Sequence, residues 1–365
     1  METKPAEPKK LFTFRSGGWA LATGVALGLC LVTWRVIVTL NDPSGQPRGD
    51  GRHVETYGFD LTNLQVPPDT LVAGSRFKDY IRALVHPEHV SGETVPALNR
   101  AQRGKFLVSG DRVVGVTLNG ESRAYPLRFI RWHEIINDTL GGVPIAVTYH
   151  YLCDSVAVFD RRVGDETLEF GVSGLLLNSN LLLYDRRPGQ RGESLWCQIT
   201  GRAIAGPAAA TDRVLEPLPC RLLPWSVWFA LTPSTTVMKP PGRYVLKKLY
   251  NMTPAPAYFS HDNLKFPVAP LPPAGDGWPA RKSPVVAVRI DGRTVVYPVS
   301  RLEARADAKG RVHIEQGGVP LTFEVHRGPE TALVIPGKTE KPVEIFHAFW
   351  FAWYAFHPGD TLFGS

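Results

Sequence analysis

The feature that most constrains this chain is that much of it is written twice. VVGVTLNGESRAYPL (Val113–Leu127) matches VVAVRIDGRTVVYPV (Val285–Val299). GGVPIAVTYH (Gly141–His150) matches GGVPLTFEVH (Gly317–His326), and PWSVWFALTP (Pro224–Pro233) matches FWFAWYAFHP (Phe349–Pro358). Self-similar blocks in the same order predict two copies of one structural unit. In each copy two alternating runs flank Asn119-Gly120 or Asp291-Gly292, dipeptides that suit the positive-φ positions of a tight hairpin turn. Tyr125-Pro126 and Tyr297-Pro298 close the second strand. Trp225/Trp228 and Trp350/Trp353 fall on one face of a short helix that Pro233 or Pro358 stops.

The expected fold is therefore α+β and β-rich: two tandem hairpin-and-strand units, each with a Trp-rich helix, after one N-terminal transmembrane helix. The expected boundaries are a cytoplasmic tail (1–16), a membrane span (17–40), a polar lead-in (41–105), the first unit (106–238), a Pro-rich connector (239–284) and a reduced second unit (285–365). Between its GGVP strand and its Trp helix, the first copy is longer by about fifty residues on the repeat alignment. That surplus carries YHYLCDS, FGVSGLLLNSNLLLYDRR and SLWCQITGRAIAGP. The first unit is thus the expected seat of any site.

The membrane expectation rests on Lys4, Lys9, Lys10 and Arg15 preceding an uncharged run from Gly17 to Trp34. A span needs about 20 apolar residues, and Arg35 at its end can snorkel. The flanking cations orient the N-terminus inward. The run ends without a small-x-small cleavage site, which favours an uncleaved signal-anchor over a removed signal peptide. The bulk of the chain is then expected to be periplasmic or otherwise extracytoplasmic. A net charge of +7 is spread as scattered Arg. A nucleic-acid-binding face would gather its charge, so no nucleic acid is expected. Partners are the membrane and other envelope proteins. Export would place Cys153, Cys197 and Cys220 in an oxidising compartment. Cys197–Cys220 is the natural local disulfide, which leaves Cys153 free.

His150 and Cys153 sit at a strand end. H-x-x-C offers an imidazole and a thiolate to one metal, a transition ion such as Cu or Zn, or a general base beside a nucleophile. A structural histidine is the plain alternative, and His326 repeats it without a thiol. His133 is the third metal candidate. Phe129, Trp132, His133, Ile136 and Leu140 fall at helical spacing, with Gly141-Gly142 as the stop and Glu134 turned to solvent. A helix–turn–strand return leaves His133 and His150 about 12 Å apart. Asn178, Ser179 and Asn180 form a hairpin turn or line a pocket. Trp196 and Gln198, alternating with Ser194 and Thr200, are candidates for its floor. The Asp-Arg-Arg corners at Asp160 and Asp185 read as surface ion pairs of little energetic weight.

AYPLRFIRWHEIINDTLGGVPIAVTYHYLCDSVAVFDRR, FGVSGLLLNSNLLLYDRR and SLWCQITGRAIAGP resemble a bacterial and archaeal family of unknown function, DUF 3179. The resemblance implies two cysteines around a proline where this chain reads HYLC. Cys153 matches the second cysteine, while His150 replaces the first, Tyr151 the proline and Asp154 a glycine. A redox pair would be lost by this exchange; a metal pair could survive it. Three functions stay open: a metal- or small-ligand-binding protein, a thiol-dependent enzyme using Cys153 with a histidine base, and a non-catalytic envelope scaffold.

Overall fold

Alternating Val-rich runs bounded by Asn-Gly and Asp-Gly turns dominate the chain, and the computed structural model is accordingly a β-rich α+β fold. It describes residues 18–41, 48–101, 105–187, 192–241, 250, 252, 256–326, 328 and 330–364. The expected cytoplasmic tail lies outside the described residues. Helix α1 runs Gly18–Asn41, with Val25, Leu27, Leu29, Leu31 and Val32 exposed. Among the described residues no helix is long and apolar enough to cross a membrane. Residues from Gly49 onward form a separate body, described next by itself.

Strands β1 (Arg112–Leu118) and β2 (Glu121–Pro126) make the first hairpin, followed by the single turn α2 (Leu127–Ile130). A meander follows: β3 (Ile135–Leu140), β4 (Val143–His150) and β5 (Ser155–Asp160). The surplus of the first copy supplies β6 (Phe170–Leu177), β7 (Asn180–Asp185), β8 (Leu195–Cys197) and β9 (Ala203–Ala205). Then come β10 (Cys220–Pro224), α3 (Trp225–Leu231) and β11 (Thr236–Met238). The second half repeats the plan without the surplus. Its hairpin is β12 (Pro284–Ile290) and β13 (Arg293–Pro298), followed by α4 (Val299–Arg305). Its meander is β14 (Arg311–Gln316), β15 (Val319–His326) and β16 (Thr331–Pro336). It closes with β17 (Val343–Phe349), α5 (Trp350–Phe356) and β18 (Thr361–Leu362).

Two four-strand arrays have the same order and the same senses. β10-β1-β2-β11 pairs antiparallel, antiparallel, parallel, and so does β17-β12-β13-β18. The Trp helices answer each other in detail. Trp228 donates its indole N–H to Thr235 Oγ1 at 3.0 Å, and Trp353 donates its own to Asp360 Oδ2 at 2.9 Å. A Cβ on Gly115 would lie 2.2 Å from the Trp228 ring, so β1 needs a glycine there for the helix to seat.

The halves are sewn together by their meanders. β5 of the first meander pairs with β17 of the second array at Val156 opposite His347, completing the sheet β3-β4-β5-β17-β12-β13-β18 with Leu84–Val85 at the other edge. The Phe349 N–H donates to the Cys153 carbonyl at 2.7 Å at the same seam. Reciprocally, Thr331 of β16 donates its hydroxyl to the Leu222 carbonyl of β10 at 2.9 Å.

Several expectations change here. The expected helix over Phe129–Leu140 is only one turn, and Ile135–Leu140 is strand. β-Branched Ile135, Ile136 and Thr139 favour extended backbone. Gly141 and Gly142, at φ 56° and 75°, form a two-residue hairpin turn rather than a helix stop. The polar lead-in is part of the body: Leu71–Ala73, Leu84–Val85 and His89–Ser91 add edge strands to three different sheets. The connector docks through Tyr258, whose hydroxyl donates to the Leu152 carbonyl at 2.9 Å, and is tied to itself by Lys282, which donates to the carbonyls of His261 and Asn263, both at 2.7 Å. Cys197 and Cys220 are free thiols. Cys197 lies in the sheet of the surplus segment and Cys220 on the β10 edge of the first array, so sequence proximity does not bring them together. The Asp-Arg-Arg corners are partly interior: Asp160, Arg161 and Asp185 are buried, while Arg162 is exposed and pairs with Asp160 as a surface ion pair would. Arg161 is 5% exposed and donates to the carbonyls of Leu168, Ile145 and Asp138, and Asp185 is fully buried, accepting from the Ser194 N–H.

His347 carries the seam's acid sensitivity. Burial pulls its pKa down to about 4, against an upward pull from Asp154. The unfolded chain binds that proton more readily, so the stability is fully present above about pH 6.5 and is lost as pH falls toward 4. His347→Leu should flatten this slope, worth roughly 3 kcal/mol across that window, in urea unfolding measured from pH 7 to 4.

Candidate functional site

The β3–β4 hairpin builds the site. Its turn fixes the register, with Ile135 opposite Thr148 and Leu140 opposite Val143. Counting outward places Glu134 beside Tyr149 and His150, and the Tyr149 N–H donates to the Glu134 carbonyl at 2.9 Å. Glu134 has φ 59°, an unusual conformation for a residue with a side chain. His150 Nδ1 lies 3.1 Å from Glu134 Oε1, with the two residues 2% and 3% exposed. An ionised carboxylate only accepts; against one, Nδ1 is the donor, and a neutral ring then carries its lone pair on Nε2.

That Nε2 is buried and has no hydrogen-bond partner among the described residues. It belongs to a cavity of about 40 Å³ lined by Glu134, His150, Tyr151, Gly174, Lys265 and Phe266 among others. Such a volume admits about one to three water molecules. The Tyr151 hydroxyl is pushed up to about 12, first by burial and second by the charge of Glu134. The pair thus combines an oriented imidazole, a negative partner and an open acceptor. This arrangement can receive a hydrogen bond or a proton from a small molecule.

Behind it lies a buried polar network. Asn180 Nδ2 donates to Ser155 Oγ at 2.9 Å and to Gln198 Oε1 at 3.0 Å. Ser155 Oγ donates to Gln198 Oε1 at 2.8 Å, and Gln198 Nε2 donates to Thr148 Oγ1 at 3.1 Å. These side chains come from β4, β5, β7 and the turn after β8, and they lock the surplus sheet to the meander. Asn180 and Gln198 are therefore brought together as expected, but as a structural network. Neither lines the His150 cavity, nor do Asn178, Ser179 or Trp196. Asn178 and Ser179, at φ 51° and 63°, are the hairpin turn between β6 and β7. Asn178 Oδ1 accepts the Ala269 N–H at 2.9 Å. Trp196 packs in the core edge-to-face with Phe170, ring centroids 6.0 Å apart. Ser194, Trp196, Gln198 and Thr200 do not share a strand face, because β8 ends at Cys197.

Residues 78–360 match the family described as Protein of unknown function (DUF3179). The chain belongs to the DUF3179 family. The match takes in the Glu134–His150 hairpin, the surplus sheet and both Trp helices. No curated protein and no solved structure matches the chain.

The expected metal set of His150, Cys153 and His133 does not converge. Both ring nitrogens of His133 are engaged, Nδ1 with the Arg82 carbonyl at 2.9 Å and Nε2 with the Tyr250 hydroxyl at 2.8 Å. Cys153 is fully buried and points to the Ser179 carbonyl at 3.2 Å. Among the described residues no group of three or more His, Cys, Asp or Glu side chains is placed to hold a metal ion. Burial pushes the Cys153 thiol far above its usual pKa, with only the Asn180 amide pulling it back. A thiolate nucleophile needs the opposite environment.

Glu134, expected at the surface, is the residue that sequence reasoning missed. The helical assignment turned it away; the hairpin register from Gly141-Gly142 was the signal that would have placed it. A Cβ on Gly141 would meet the Leu118 carbonyl oxygen at 2.3 Å, on a left-handed backbone. Gly141→Ala should destabilise the fold by about 1–3 kcal/mol, read as a lower urea midpoint. Glu134→Gln, which keeps an acceptor oxygen, should preserve the Nδ1–H tautomer of His150, whereas Glu134→Leu should release it, visible in the Nδ1 and Nε2 nitrogen NMR shifts.

Proposed function

We propose that this protein binds a small, hydrogen-bond-donating ligand at the Glu134–His150 pair, and that it does so on the extracytoplasmic side of a membrane to which its N-terminal helix anchors it. The observation that carries the binding reading is the His150 Nε2: buried, unpartnered, and facing a cavity with a carboxylate fixing its ring. Most buried polar atoms are satisfied, so an unpartnered one on a residue that lines a cavity is a candidate place for something to bind; the rest of this lining is largely apolar, Leu152, Val172 and Phe266 among it. Support for the anchor comes from the cations before Gly17, the uncharged run that follows and the exposed apolar side chains of α1. Envelope proteins are the partners such a placement makes available.

We further propose that the body arose by tandem duplication. Matching strand order and sense in the two arrays, and the paired indole hydrogen bonds, support it. The first copy then kept the ligand site. The second has His326 at the end of β15, with Nε2 likewise buried and unpartnered, but no carboxylate hydrogen-bonded to its ring among the described residues.

The enzyme reading survives in a changed form. His150 is a competent general base, while Cys153 is too deeply buried and too weakly acidic to serve as the nucleophile. Iodoacetamide should therefore alkylate Cys153 in the native chain far more slowly than in urea, by mass spectrometry; equal rates would restore the thiol enzyme. For the binding reading, formamide serves as the probe. It should shift the His150 Nε2 resonance in the full chain and leave it unmoved in Glu134→Ala. A His150 ring indifferent to formamide, in a protein that His150→Leu makes more stable, would sink the ligand site and leave the envelope scaffold.

A further inference from the structure

A second and larger cavity, about 350 Å³, opens where the two halves meet. That volume falls within the range of small-molecule sites. Its wall combines Tyr149 and Tyr151 of the first half, Phe259 of the connector, and Pro284 and Phe349 of the second half. Tyr151 also lines the His150 cavity, so one side chain faces both spaces.

The charges in this cleft are unevenly spent. Asp154 accepts a bidentate pair of bonds from Arg112 at 2.7 and 2.8 Å, and a third from the Tyr149 hydroxyl at 2.8 Å. Asp111 is held by Arg128 at 3.0 Å. Arg131 is left over. Its Nη2 donates to the Tyr250 carbonyl at 3.1 Å, its Nε is buried without a partner, and among the described residues it forms no salt bridge. An arginine held at a cleft wall, with nearby carboxylates already committed, is a fork awaiting an anion. Glu330 also lines the cleft, but on its exposed side. Its charge disfavours an anion there and directs one inward.

From this arrangement we infer that the cleft between the halves is a binding site for a small carboxylate with an aromatic or apolar body, its carboxylate on Arg131 and its body against Tyr151, Phe259 and Phe349. The site is distinct from the Glu134–His150 cavity and meets it at Tyr151.

Benzoate is the probe, with benzylamine as a cation of similar size and shape. Titration calorimetry of the full chain should show benzoate binding at millimolar concentrations and benzylamine binding more weakly. Arg131→Gln should weaken benzoate at least about tenfold, the loss expected for charge-assisted hydrogen bonds. Arg131→Lys, which keeps the charge and loses the fork, should fall between. Arg202→Gln, at an exposed arginine outside the cleft, should leave benzoate affinity unchanged. Independently of any variant, benzoate should protect Arg131 of the unmodified sequence from phenylglyoxal, read by peptide mass. The inference is overturned by absent benzoate binding, by equal affinity in Arg131→Gln, by benzylamine binding as tightly as benzoate, or by undiminished phenylglyoxal labelling.

Discussion

One strand pairing holds the two halves of this protein to a common frame. At the β5–β17 seam, Val156 faces His347 and the Phe349 amide donates to the Cys153 carbonyl at 2.7 Å. Through it the first meander joins the second array, and one sheet runs through both halves. The consequences reach each notable side chain. Cys153 is buried because the residues of the seam, Phe349 and Trp350 among them, pack over it in a single apolar cluster. His347 is neutralised because it sits in the same joint. The large cleft exists because Arg112, Asp154 and Phe349 arrive there from opposite halves.

The scaffold was largely legible in the sequence, and for a specific reason. Hairpins signalled by Asn119-Gly120 and Asp291-Gly292, and helices signalled by paired tryptophans, depend on local backbone preference and on side-chain spacing. The candidate site was less legible because its central fact is a register. Whether Glu134 meets water or His150 depends on reading Ile135–Leu140 as strand, and its apolar spacing fits a helix as well. The Asp-Arg-Arg corners misled in another way. Their composition is that of a surface, but Asp160, Arg161 and Asp185 are buried, and Arg161 satisfies itself on three carbonyls inside. No local pattern announces a neighbour that distant in sequence. The same is true of the lead-in, whose short edge strands have no periodicity of their own and take their form from the sheets they join.

The polar interior has two characters. Thr148, Ser155, Asn180 and Gln198 bind one another and fix how the surplus sheet meets the meander. Asn137 adds to this, exchanging two hydrogen bonds with the backbone of Phe170, both 2.8 Å. This network specifies one arrangement of sheets, with Asn180 Oδ1 left without a partner among the described residues. The Glu134–His150 pair differs in that its open atom belongs to a residue lining a cavity. Its neighbour Cys153, the residue whose chemistry first draws the eye, is closed off by the same packing that leaves the imidazole available.

The second meander has a free outer edge at β14, where Arg311, His313 and Glu315 are exposed in alternation with the inward Val312 and Gln316. A bare edge strand is a template on which another molecule's backbone can extend the sheet. Charged and ionisable groups at every second position make that addition costly. The half of the protein that lacks the surplus segment thus carries, at this edge, a safeguard against self-association through open β-edges.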